Sequence, residues 1–252
     1  MQGLNDGCNQ IAKKRETMKT KLLLLLCISI NVGFSQNLYR FFAKTDLNSD
    51  KRVDKIRLKS VDYTTTLFVN NKSVVVVFDD ADIIGFKIID IDKNDIYKEI
   101  LIAGEDPGGS SRSKIYWFDG KQLLFMDMLH SPKVSGNGFV YDDTWQGFWM
   151  KRDKYILNKQ THKLAVVPQF AYYVGVKDIV VKNWFTIYSD QKMTKKLATL
   201  SKNSKIEILL CDTRNSSNEN DFIYLIKSKT GLVGWTTLEI LQQNCEGFNN
   251  AG

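Results

Sequence analysis

Histidine is scarce in this chain: His130 and His162 are the only two in 252 residues. Mechanisms that set a His beside a Cys, a Ser or a second His are nearly excluded by that count, because so few candidates exist to build them. Cysteine is scarce as well, with four. No apolar run approaches the roughly 20 residues that a membrane-crossing helix needs. What is present is the composition of an ordinary folded chain, 43% hydrophobic, 12% aromatic and 25% charged, so most of it should bury a core. At roughly 100–200 residues per domain the length allows one large domain or two modest ones.

The front of the chain is read separately. Met18-Lys19-Thr20-Lys21 leads into the apolar run Leu22 to Ile30 and then to Gly33, Phe34 and Ser35. A short basic region, an apolar stretch and small residues at 33 and 35 form a secretory signal peptide pattern, with cleavage expected after Ser35. Residues 1–17 then form a non-structural leader and 18–35 the signal, and the product is expected to be secreted or periplasmic. Cys27 follows three Leu residues, whereas a lipoprotein box places a small residue before its Cys, so no lipid anchor is expected. Five of the 35 Lys and Arg and two of the 28 Asp and Glu lie ahead of the cut, which lowers the net charge from +7 to +4. That is only mildly basic, so neither a nucleic-acid partner nor stable membrane insertion is expected, and the chain reads as a monomer. The cut also leaves Cys211 and Cys245, an even pair that in an exported chain permits a disulfide; two unrelated free thiols are the alternative.

Beyond the cut the periodicity is almost wholly that of strands. Lys55–Val61, Thr65–Asn70, Ser73–Phe78, Gly85–Ile91, Glu99–Gly104, Lys114–Asp119 and Gln122–Met128 are short, β-branched or aromatic, and bounded by Asn, Asp, Gly or Ser. Asn70-Asn71-Lys72 and Asp119-Gly120-Lys121 read as hairpin turns, Asp-Gly being the stronger signal. Val140–Met150 and Lys154–Val167 add strands up to Pro168. After an aromatic connector, a second set of strands runs from about Val180 to Leu241. The expectation is an all-β protein with a domain over 36–173, a linker at 174–179, a smaller domain over 180–245 and a tail at 246–252.

Two acidic loops carry the most chemistry. Asp46-Leu47-Asn48-Ser49-Asp50-Lys51-Arg52-Val53-Asp54 places oxygen-bearing side chains at the first, third, fifth and ninth positions, and alternate positions in a tight loop point inward, as a calcium ion requires. Arg57, not Glu, stands at the twelfth position, so this is no EF-hand. The pattern resembles the calcium loop of FG-GAP or VCBS-type repeats from integrin-like β-propeller blades. That resemblance implies Asp46, Asn48, Asp50 and Asp54 as ligands, with the Arg52 carbonyl among them; Lys51 stands where the family has a turn glycine. A second copy begins 44 residues on with Asp90, Asp92 and Asn94, its Glu99 falling one position late. The alternative for both loops is solvated turns that cap strands without metal. About 130 residues cannot close a propeller of four or more blades, so the repeat-derived strands are expected to pack as an antiparallel sandwich or open barrel.

Other motifs carry less. Glu105–Arg112 is Gly-rich but precedes a strand and lacks the Gly-Lys-Ser/Thr ending, so no phosphate site is expected. Trp145, Phe148 and Trp149 would stack on sugar rings or, more commonly, pack a core. His130 and His162 read as turn residues. Asp142 and Asp143 are adjacent in a strand and therefore face opposite sides, which does not suit paired-carboxylate chemistry.

The second domain resembles a bacterial SH3-like domain in Phe185–Ser189, Leu197–Leu209 and Ile223–Thr236. Gly234-Trp235 is the most specific element, since Gly lets backbones pass closely while Trp covers one end of a small barrel core. The family's Arg-x-Gly-Pro-Ser stretch is absent, and Asn203 replaces its turn glycine. The resemblance implies a small barrel that brings Cys211 and Cys245 together across its end, with Tyr188, Tyr224 and Trp235 as ligand contacts for a cell-envelope polymer or peptide. The combined expectation is a secreted, non-catalytic binding or adaptor protein; the alternative is an accessory or degenerate cell-wall hydrolase relying on carboxylates.

Overall fold

The computed structural model of the protein describes residues 39–61, 64–214 and 216–248. The chain divides into two compact units, Met1–Arg40 and Phe41–Gly252. The leader, the expected signal peptide, its cut after Ser35, Cys8 and Cys27 lie outside the described residues.

The second unit is all-β, with four antiparallel sheets and no closed one among the described residues. Three of the sheets are meanders of four consecutive strands. The first holds β1 (Phe42–Thr45), β2 (Asp54–Val61), β3 (Thr64–Val69) and β4 (Lys72–Val76). The second holds β5 (Asp82–Ile89), β6 (Glu99–Glu105), β7 (Ser111–Phe118) and β8 (Leu123–Leu129). The third holds β9 (Pro132–Val134), β10 (Phe139–Trp145), β11 (Met150–Asn158) and β12 (Lys163–Val166). The remaining strands, β13 (Tyr172–Val181), β14 (Phe185–Tyr188), β15 (Lys196–Leu200), β16 (Lys205–Asp212), β17 (Ile223–Ser228), β18 (Val233–Thr237) and β19 (Cys245–Glu246), form a seven-stranded sheet in the order β15-β14-β18-β17-β16-β13-β19.

Period-two alternation decides which face is buried. In β2, Asp54, Ile56 and Leu58 point inward while Lys55, Arg57 and Lys59 point out. The inward side chains of the first sheet, Ile56, Leu67 and Val69 among them, share a core with Phe86, Ile100, Ile102, Tyr116 and Phe118 of the second. The second sheet is covered on its other face too: Leu101, Ile115 and Trp117 are buried, and Trp117 stacks on His162 of the third sheet's last turn at 3.7 Å between ring centroids. Coverage on both sides is why β6 reads as an unbroken apolar run. Each such large buried side chain contributes roughly 1.5–3 kcal/mol.

Three expectations change. Val140–Met150 is two strands, β10 and β11, because Gln146-Gly147 turns the chain there; the turn presents Phe148 and Trp149 to the core of the seven-stranded sheet, where the Trp149 indole N–H donates to the Tyr224 hydroxyl at 3.4 Å. The expected linker 174–179 is the middle of β13. Its linker-like residues, Gly175 and Asp178, both have positive φ and sit where the pairing with β16 shifts register, so they are bulge residues inside a strand. Leu241 belongs not to a closing strand but to a short helix, α1 (Leu238–Asn244), capped by the Thr237 hydroxyl, which accepts from the Ile240 N–H at 3.2 Å.

Candidate functional site

The two acidic loops join β1 to β2 and β5 to β6. Leu47, second in the first loop, is fully buried; its N–H donates to Asp54 Oδ2 at 2.9 Å and its carbonyl accepts from the Lys98 N–H at 2.8 Å. Ile91, second in the next loop, is equally buried; its N–H donates to Glu99 Oε2 at 3.0 Å and its carbonyl accepts from the Gly138 N–H at 2.7 Å. Lys98 and Gly138 stand just before the first residues of β6 and β10. Each loop therefore buries one apolar side chain, ties it to an acid opening its own second strand, and joins the next sheet at the corresponding place.

This arrangement already occupies much of the oxygen set expected to hold calcium. Asp46 accepts from the N–H groups of Asn48 and Lys51, Asp50 accepts from the Arg52 N–H, and Asp54 takes the Asn70 side-chain N–H at 2.7 Å besides Leu47. Lys51 adopts the left-handed conformation, φ 68°, that the missing turn glycine would have supplied. In the second loop Asp92 and Asn94 bond each other, and the Lys159 ammonium sits 2.6 Å from Asp92, already providing a cation. That contact holds the Asp92 carboxyl below the usual range. Asp90 Oδ1 is buried without a hydrogen-bond partner, and burial, then Asp95, raises its pKa. Glu99, 1% exposed, is pushed up to about 8 by burial. Among the described residues no three His, Cys, Asp or Glu side chains gather into a group suited to a metal ion.

In the seven-stranded sheet, Gly234 fits the close approach anticipated for it: an added Cβ would stand 3.0 Å from Ile187 Cδ1 and from the Tyr188 carbonyl. Asn203 takes the positive φ of the missing glycine and donates to the Val181 carbonyl at 2.7 Å. Tyr188 and Trp235 are cross-strand partners, each half-buried. Tyr224 is not a ligand contact: it is 1% exposed, packed between Phe148 and Trp149. The disulfide is likewise corrected. Cys211 and Cys245 are both buried free thiols, pushed up to about 12 by that burial. Cys211 pairs with Tyr172 at one end of β13 and Cys245 with Val181 at the other. Roughly 30 Å of strand path separates those ends, against a Cα limit of about 7 Å for a bridge.

A ligand-sized cleft of about 400 Å³ opens where the outer face of β10 and β11 meets the start of β13. Its floor is an ion-pair cluster. Arg152 grips Asp143 through Nε at 2.6 Å and Nη2 at 2.8 Å, and Lys133 adds a contact at 2.5 Å. Arg152 above all, with Lys133, holds the nearly buried Asp143 carboxyl down at about 2. Around this floor stand Tyr141, Met150, Tyr172 and Tyr173. Tyr172 is anchored by its hydroxyl to Asp153 at 2.7 Å, whereas Tyr173 is 71% exposed. The Arg152 guanidinium and the Lys154 ammonium outnumber the single Asp143 carboxylate of the lining, so the cleft combines a cationic floor with aromatic walls.

Comparison with protein-family models, with curated proteins and with solved structures returns no match for this chain. The geometry therefore carries the functional argument alone. The cleft was not seen in the sequence because Val140–Met150 reads as one strand. A hairpin about Gln146-Gly147 would have set Asp143 opposite Arg152, as observed, and an Asp-Arg cross-strand pair beside two tyrosines is a readable signal.

Proposed function

We propose that this is an exported, non-catalytic binding protein for a cell-envelope glycan or peptide, seated in the cleft between the third meander and β13. The supporting observation is the cleft itself: tyrosines of unequal exposure around the bidentate Asp143–Arg152 pair, with Lys154 beside it. Aromatic faces pack against sugar rings or peptide side chains, and charged donors held in place fix orientation at little entropic cost. Tyr188 and Trp235, on the seven-stranded sheet, form the second contact surface of this reading, with an SH3-like module and blade-like meanders as its architecture. Both histidines serve the fold: His162 stacks on Trp117, and the His130 N–H donates to Asp142 at 3.0 Å.

The test is retention of the purified protein on isolated envelope polymers. Tyr173→Ala should weaken binding by about 1–2 kcal/mol with the thermal midpoint unchanged, and an unchanged affinity would remove the cleft from the reading. Release of labelled sugar or peptide by the protein, lost in Asp46→Asn or Asp90→Asn, would favour the hydrolase alternative. Calcium belongs to the proposal only at the first loop, where Asp46, Asn48 and Asp50 share one rim. A rise in Tm with millimolar calcium that Asp50→Ala abolishes supports it; no shift in the parent protein excludes it.

A further inference from the structure

The outer face of the first meander is cationic. In β2, Lys55, Arg57 and Lys59 alternate with the buried residues and all point outward. The register sets Lys44 of β1 directly opposite Lys55, and Phe42 and Phe68 opposite Arg57 from the two sides. By the same alternation the remaining outward positions are Val61, Thr64, Thr66, Ser73 and Val75, so the outward positions of the described strands carry four cations and no acid. Among the described residues none of the four makes an ion pair. Arg57 lies over the Phe68 ring at 5.6 Å and the Lys44 ammonium over Phe42 at 5.9 Å.

The neighbouring sheets show why this face is unlike an unfinished core. The equivalent stitching donors of the second and third meanders, the N–H groups of Lys98 and Gly138, are taken by the preceding loops. The equivalent residue of the first, Val53, is 63% exposed and donates no hydrogen bond among the described residues. A further meander of the same kind would cover this face with apolar side chains, yet the face carries cations. Like charges directly opposite, Lys44 and Lys55, also weaken a sheet, a cost that an anionic ligand removes.

We propose that this face binds an extended anionic polysaccharide lying along β2. Outward positions two residues apart are about 6.8 Å apart, a spacing on the scale of one sugar ring, so Lys55, Arg57 and Lys59 meet successive carboxylates or sulfates. Thr66 and Ser73 stand beside them as hydroxyl partners. A second copy of the same face is disfavoured by cation against cation. Single-stranded nucleic acid, which stacks its bases on aromatic platforms, is the rival occupant, and the oligonucleotide in the test below decides between the two.

The site is independent of the cleft and has its own test. Binding of the purified protein to fluorescent heparin and polygalacturonate is measured beside neutral dextran and a thymidine 20-mer, at low and at 0.5 M salt. Both polyanionic sugars should bind, weakening strongly with salt, and dextran should not. Arg57→Gln with Lys59→Gln should lose at least fivefold in affinity, with Lys55→Gln plus Lys59→Gln as the second variant. Lys227→Gln with Lys229→Gln, on the basic groove of the seven-stranded sheet, should change affinity less than twofold. Less than a fivefold loss in either folded face variant, an equal loss in the Lys227 and Lys229 control, or tighter binding of the oligonucleotide than of both sugars would overturn the proposal.

Discussion

The loops at 46–53 and 90–98 make the same pair of hydrogen bonds with different acids. In the first, Asp54 reaches the Leu47 N–H from the ninth position and its other oxygen is taken by Asn70. In the second, one residue more separates the acid from the loop's start, and Glu99 spans the difference with its extra methylene to meet Ile91. The chemistry then diverges. Asp54 accepts from two N–H donors, whereas Glu99 is enclosed by the second sheet's core with Asp90 and Asp95 nearby, so its carboxyl stays protonated to about pH 8. The same bracket can thus be closed by carboxyls with different partners and surroundings.

Four experiments would break or sharpen that equivalence. The largest effect should come from Leu47→Ala and Ile91→Ala. Both side chains are fully buried, so each should cost about 2–5 kcal/mol in denaturant unfolding; one large and one negligible loss would end the structural parallel. Asp54→Asn and Glu99→Gln should then separate. An amide at 54 cannot accept from both Leu47 and Asn70 and should lose roughly 1–3 kcal/mol, while Gln at 99 keeps the acceptor for Ile91 and should be neutral or stabilising above pH 8.

The pH dependence follows from the sign of the Glu99 shift. Its native pKa, about 8, lies above the ordinary value of 4.5, so between them the native state holds more protons than the unfolded state. Its contribution is complete below about pH 4.5 and is lost as pH rises through about 8. In chelator-treated buffer the parent Tm should fall across that interval, and Glu99→Gln should flatten this part of the profile. The smallest effect is expected at Lys51, whose positive φ strains a residue with a Cβ. Lys51→Gly should stabilise by about 0.5–1 kcal/mol. Asp95→Gly in the second loop, where no non-glycine residue has positive φ, should bring no such gain.

Several local features were legible. The Asp119-Gly120 turn forms as its sequence predicts, with Asp119 Oδ1 accepting from Lys121 and Gln122 and Gly120 at φ 93°. Gly234 marks a close backbone approach, and the acidic loops sit between strands where the alternating oxygens placed them. Less legible were features that depend on what packs against them. The Tyr224 ring looks like a binding aromatic until the 146–149 turn buries it, and Gly175 and Asp178 look like a linker because a bulge uses the same residues.

Alternation, turn chemistry and side-chain-to-backbone bonds act within a few residues. The sequence by itself therefore determined strand content, most turns and the capping geometry of both loops. Burial and pairing act between segments far apart in the chain. Only the tertiary structure could decide that buried Asp54 meets the Asn70 side chain while Glu99 meets the Ile91 N–H, that the length of β13 holds Cys211 and Cys245 apart, and that Asp143, Arg152 and Tyr173 line one cleft. The same holds for the cationic face: each outward Lys or Arg of β2 is ordinary in its strand, and its meaning comes from no sheet of the described residues being laid over that side of the first meander.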